Sequence, residues 1–95
     1  MDGESEYLAE CFWPGVGEAE LRALDERARA SADETTAQGR PVRYLGSLLM
    51  REDEVVLCLF AGSSEAVRAV ATQAGVPFDR IVETDRSPWS VIETE

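Results

Sequence analysis

The feature that most constrains the fold is a seven-residue apolar run, Val55–Ala61, which lies between a charged segment and a Gly-Ser-Ser turn. The run is far too short for a membrane-spanning helix, which needs roughly 20 residues. It is typical of a central β-strand, and it is apolar at both alternating sets of positions. The charged segment before it, Arg51–Glu54, is short enough to join it to a preceding strand, Val42–Met50, as a hairpin.

Two other segments carry apolar residues at helical spacing, and each ends at a glycine followed shortly by a proline. In chain order, the predicted elements are strand Glu6–Trp13, helix Glu18–Gln38, strand Val42–Met50, strand Val55–Ala61, helix Ser64–Ala74 and strand Phe78–Thr84. This β-α-β-β-α-β order predicts an α+β ferredoxin-like fold, with a four-stranded antiparallel sheet and both helices on one face.

The length of 95 residues allows one domain, which we place at residues 6–85. We expect a disordered N-terminus at residues 1–5 and a C-terminal tail at residues 86–95. The first residues are acidic and match neither a secretory signal nor a transit peptide, and two cysteines are too few for a disulfide framework. The sequence therefore predicts a cytoplasmic protein with reduced thiols.

Composition excludes several function classes. The chain has no histidine, which rules out imidazole-dependent catalysis and histidine-based metal sites. Its net charge of −10 argues against nucleic-acid binding and against docking on anionic membranes.

The sheet face opposite the helices is predicted to be apolar, like the face under the helices. The third strand does not alternate, and in the second strand Tyr44, Gly46, Leu48 and Met50 are expected to share one face. An open apolar sheet face is typical of an interaction site, so we expect a homodimer through it. The alternative is that the tail around Trp89 folds under the sheet.

Several ordered strings over residues 6–85 resemble a known family. They are Tyr7-Leu8-Ala9-Glu10, Trp13-Pro14-Gly15-Val16, Val42-Arg43-Tyr44-Leu45, Leu57-Cys58-Leu59-Phe60 before Gly62-Ser63-Ser64, and the run from Ala74 to Glu83. The sequence is similar to small ferredoxin-like proteins that dimerise face to face, catalogued partly as a domain of unknown function and partly as nickel-binding proteins. The resemblance implies a dimeric α+β barrel.

The resemblance also implies a site. Glu10 matches the family's first-strand glutamate and Cys58 its third-strand cysteine, whereas Gly46 stands where metal-binding members commonly have histidine. By strand parity we expect Glu10 and Cys58 to share a face, with Cys11 on the opposite one. We therefore consider Glu10 and Cys58 as weak ligands for a divalent metal such as nickel, and Glu10, Tyr44, Gly46 and Cys58 as the lining of a small-ligand pocket.

Each of these residues also has a simpler interpretation. Cys58 and Tyr44 are typical core residues, Glu10 is typical of a sheet rim, and Gly46 indicates either a close approach or a β-bulge. We favour a non-catalytic, ligand-binding dimer. The alternatives are a cofactor-independent oxygenase- or isomerase-like enzyme, with Glu10 as its base, and a protein-interaction module.

Overall fold

The computed structural model describes residues 5–85, and the predictions for residues 1–4 and for the tail at 86–95 lie outside the described residues. The elements in chain order are β1 (Ser5–Phe12), α1 (Glu18–Ala37), β2 (Val42–Met50), β3 (Val55–Gly62), α2 (Ser64–Gln73) and β4 (Arg80–Thr84). The predicted order is confirmed. None of the helices in this part of the chain is long and apolar enough to span a membrane.

The strands form one antiparallel sheet in the order β2-β3-β1-β4, so the first and third strands are central and adjacent. Both helices cover the same face of the sheet. The side chains of that face form the core together with the apolar stripes of the helices, and they include Cys11, Val56, Cys58 and Phe60, none of which is exposed.

Local hydrogen bonds explain where the helices begin. Gly17 precedes α1, and its backbone N–H donates to Oε1 of Glu20 at 2.8 Å. Ser63 caps α2 by accepting, on its Oγ, the backbone N–H of Ala66 at 3.1 Å. In each case a backbone N–H at the helix start gains a side-chain acceptor.

The fourth strand begins two residues later than predicted, at Arg80 instead of Phe78. The N–H of Phe78 donates to the carbonyl of Val76 at 2.8 Å, which forms a tight turn. Asp79 then bridges to β1: its N–H donates to the carbonyl of Glu10, and its Oδ2 accepts the N–H of Phe12, both at 2.7 Å. An aspartate side chain thus replaces a strand carbonyl at this point.

The second strand contains a β-bulge between Tyr44 and Gly46. Tyr44 pairs with Phe60 and Gly46 pairs with the next residue, Leu59, so Leu45 is the extra residue. The expectation that Tyr44 shares a face with Gly46, Leu48 and Met50 is therefore wrong, because the bulge reverses the alternation after Tyr44. Of the two interpretations of Gly46, the structure supports the bulge.

Candidate functional site: the open sheet face

The face of the sheet opposite the helices, here called the open face, has its side chains in rows that run across the four strands. The registers place Arg43, Ala61, Glu6 and Thr84 in one row, Gly46, Leu59, Leu8 and Val82 in the next, Leu48, Leu57, Glu10 and Arg80 in the third, and Met50, Val55 and Phe12 in the last. Charged residues occupy the first row and the β1–β4 side of the third. The rest of the open face is apolar.

The large exposed apolar side chains of residues 5–85 lie on this face. The registers place Phe12, Leu48 and Met50 there, and Leu45, the extra residue of the bulge, lines a depression together with Leu48 and Leu59. Phe12 is 59% exposed, Leu48 58%, Met50 42% and Leu45 38%. Such residues are normal when scattered singly, but here they adjoin half-buried leucines on the neighbouring strands. The apolar part of the open face is therefore one continuous patch.

Glu10 lies on the open face and forms an ion pair with Arg80, directly opposite it on β4. Arg80 Nε donates to Oε1 of Glu10 at 2.7 Å and Nη2 donates to Oε2 at 3.3 Å. The hydrogen bond from Arg80 holds the pKa of Glu10 below its usual value. The carboxylate is thus already paired with a cation of the same chain.

Cys58 lies on the other side of the sheet from Glu10. It pairs with Ala9, whereas Glu10 pairs with Leu57, so the expectation that Glu10 and Cys58 share a face is wrong. Cys58 instead shares the helix-covered face with Cys11, and neither residue is exposed. The main cause that raises the pKa of the Cys11 thiol is hydrogen bonding with Cys58, and the second cause is burial. A fully buried thiol of this kind is typical of a core residue.

Tyr44 also lies beneath the helices, where it joins a polar cluster with Asp25 of α1 and Ser47 of β2. The Tyr44 hydroxyl donates to Oδ1 of Asp25 at 2.5 Å, and the Ser47 hydroxyl donates to the same oxygen at 2.8 Å. The main cause that raises the pKa of Tyr44 is burial, and the second cause is the hydrogen bond to Asp25. Because of the bulge, Tyr44 and Ser47 face the helix together although three positions separate them.

The predicted pocket residues therefore divide between two faces. Glu10 and Gly46 lie on the open face, whereas Tyr44 and Cys58 lie under the helices. Two important partners, Arg80 and Asp25, were missed by the sequence analysis. Alternation within β4 would have placed Arg80 and Val82 on one face, but it could not say which residues of β1 lie opposite them.

The donor set for a metal ion is not assembled in residues 5–85. No group of three or more carboxylate, thiol or imidazole side chains is positioned there to hold an ion. Glu10 is paired with Arg80, and the cysteines lie on the opposite side of the sheet. The described residues of one chain therefore do not fit a nickel site.

Comparison with known proteins supports the fold and the family. No curated protein is significantly similar to the chain. The crystal structure of SCO4226 from Streptomyces coelicolor A3(2) has a TM-score of 0.70 and 21% sequence identity, over 86% of this chain and 98% of that one, which shows a shared fold. A family model described as nickel responsive protein SCO4226-like matches residues 7–84. The chain thus belongs to the SCO4226-like family of nickel responsive proteins.

Proposed function

We propose that this protein is a non-catalytic, ligand-binding homodimer whose two copies join through their open faces. The observation that carries the proposal is the position of the exposed apolar side chains: Phe12, Leu45, Leu48 and Met50 all lie on that face. Burying a side chain of this size contributes about 1.5–3 kcal/mol, so a few of them are enough to drive association.

The dimensions of the molecule are consistent with such an interface. Its Cα atoms extend over 42 × 38 × 19 Å, as expected for a broad layer of sheet with one layer of helices. A stable interface needs about 800 Å² from each partner.

The non-catalytic part of the proposal rests on where the reactive groups lie. Glu10 is paired with Arg80, Tyr44 donates to Asp25, and both cysteines are buried. Glu10 lies on the open face whereas Tyr44 and Cys58 lie under the helices, so these groups of residues 5–85 do not face one substrate as an acid and a base. This arrangement disfavours the oxygenase- or isomerase-like alternative.

Native mass spectrometry of the untagged protein tests the dimer, with Leu48→Glu and Ala30→Glu as matched variants. Both variants add one carboxylate at an exposed position, the first on the open face and the second on α1. We expect dimers for the parent and Ala30→Glu, and folded monomers for Leu48→Glu. A monomeric parent, or a dimeric Leu48→Glu variant, would contradict the proposal.

The same measurement with added nickel tests the ligand that the family description suggests. A tag is left out because its histidines would bind the ion. A two-fold symmetric dimer brings two copies of each metal-donor side chain to its interface. In this proposal nickel is therefore a ligand of the dimer and not of one chain. Nickel bound to the parent dimer but not to monomeric Leu48→Glu is the expected signature. A dimer that takes up no nickel would contradict nickel as its ligand and leave the homodimer standing.

A further inference from the structure

The bulge in β2 leaves a depression in the open face. It has a volume of about 160 Å³ and is lined by Leu45, Gly46, Ser47, Leu48 and Leu59. Apart from Gly46 and its two chain neighbours, no heavy atom of residues 5–85 lies within 4 Å of the position that a Cβ of Gly46 would occupy, so the space beside the glycine is open. No charged side chain of residues 5–85 lines the cavity, and the Ser47 hydroxyl is bonded to Asp25 on the other side.

We propose that this cavity, closed by the second copy of the chain, binds a small uncharged apolar molecule about the size of one aromatic ring. The inference rests on the proposed function, because it is the partner's open face that would cover the cavity. In one chain the rim is open to solvent, with Leu48 58% and Leu45 38% exposed. A dimer interface of standard size on the open face extends over both rim residues.

Size and lining together define the ligand class. An apolar protein cavity of about 150 Å³ stays free of water and takes up benzene, and the cavity here is of similar volume. A charged group enclosed in it would lose its hydration and gain no counter-ion from the lining. A metal ion or a carboxylate is therefore excluded from this cavity, whereas a ring or a short branched hydrocarbon is suited to it.

Binding in a cavity that only the dimer completes couples the ligand to assembly. A ligand that binds the dimer and not the monomer lowers the dimer dissociation constant by mass action, to an extent set by its concentration relative to its own dissociation constant. The coupling makes the ligand detectable through the oligomeric state.

Sedimentation equilibrium of the full-length parent, with benzene as the probe and benzoate as its charged counterpart, tests the inference. We expect benzene to lower the dimer dissociation constant several-fold and in a saturable way, and benzoate to leave it unchanged. Leu45→Phe adds volume at the cavity and should lose the response to benzene, measured against its own dissociation constant without benzene. Ala30→Phe adds a ring at an exposed position on α1, away from the open face, and should keep the response.

The outcomes separate the two proposals. A dimer that does not respond to benzene overturns the cavity inference and leaves the homodimer standing; this would be the result if a partner side chain fills the cavity. An equal response in Leu45→Phe and the parent also overturns it. A parent that is monomeric both with and without benzene overturns the proposed function itself.

Discussion

The carboxylate of Glu10 titrates in contact with a single guanidinium, and this contact is open to measurement. Arg80 lowers the pKa of Glu10, so the ion pair stabilises the fold above the usual glutamate pKa of about 4.3 and is lost as the pH falls through the lower folded value. We expect Arg80→Gln to raise the pKa of Glu10 to its usual range in an NMR titration of the side-chain carboxyl carbon. Arg68→Gln, at an exposed position on α2, is the control and should leave it unchanged. An unchanged value in Arg80→Gln would show that the pair does not persist in solution.

The residue scale is also where prediction from sequence was weakest. Alternation within a strand correctly separates Glu10 from Cys11, but it cannot say which residue of β3 lies opposite. The register pairs Cys58 with Ala9, and a shift of one residue would have placed it on the other face beside Glu10. Register depends on side-chain packing and turn geometry across the sheet, so the local sequence of either strand does not contain it.

At the scale of elements, α1 is joined to β2 by the Thr36 hydroxyl, which bonds to the backbone of Val42, and by the carboxylate of Asp25. Asp25 accepts hydrogen bonds from both Tyr44 and Ser47. Removing it leaves the buried Tyr44 hydroxyl without that acceptor, which costs about 1–3 kcal/mol. We expect Asp25→Ala to lower the free energy of unfolding by that amount in urea denaturation. The double variant Asp25→Ala/Tyr44→Phe should lose less free energy of unfolding than the sum of the losses in the two single variants, by at least about 0.5 kcal/mol. Additive effects would mean that the bond contributes nothing to stability.

The elements themselves were largely predictable, and their irregularities were not. β2 has the predicted bounds because a proline and a charged turn limit it, whereas β4 starts late because Asp79 bonds to β1 through its side chain. The bulge at Gly46 was one of two interpretations, since a strand glycine also fits a close approach. Gly46 has a φ of +128°, a conformation that favours glycine, and this value becomes available only with the structure.

At the scale of the whole molecule, the order of elements predicted the fold. Apolar residues at both alternating sets of strand positions predicted a second apolar face of the sheet. Two helices cover one face of a four-stranded sheet, and β3 has apolar residues on both faces. The apolar residues on the open face therefore require a second covering layer. The prediction of an apolar open face is confirmed, and the second copy as its cover stays a prediction. The alternation of residues along the strands predicted that both sheet faces are apolar. The same alternation contains no information about which partner covers the open face.

The net charge of −10 per chain supplies a way to tell what holds the proposed dimer together. Two such chains repel each other, and salt weakens this repulsion as the screening length falls from about 30 Å at 0.01 M to about 10 Å at 0.1 M. Apolar contacts do not depend on that screening. We therefore expect the dimer dissociation constant to fall by about tenfold, or about 1.4 kcal/mol, over this range in sedimentation equilibrium.

The opposite salt dependence would identify a different interface. If Glu10 and Arg80 exchanged partners between two copies, the pairs joining them would be screened, and salt would weaken the dimer. The double variant Glu10→Gln/Arg80→Gln distinguishes the two cases, because it removes the ion pair, leaves no unpaired charge, keeps the net charge of the chain unchanged and leaves the leucines of the open face in place. For an apolar interface it changes the dimer dissociation constant little at either salt concentration. For an interface of exchanged ion pairs it abolishes the dimer at both concentrations, and the apolar patch would then need another partner.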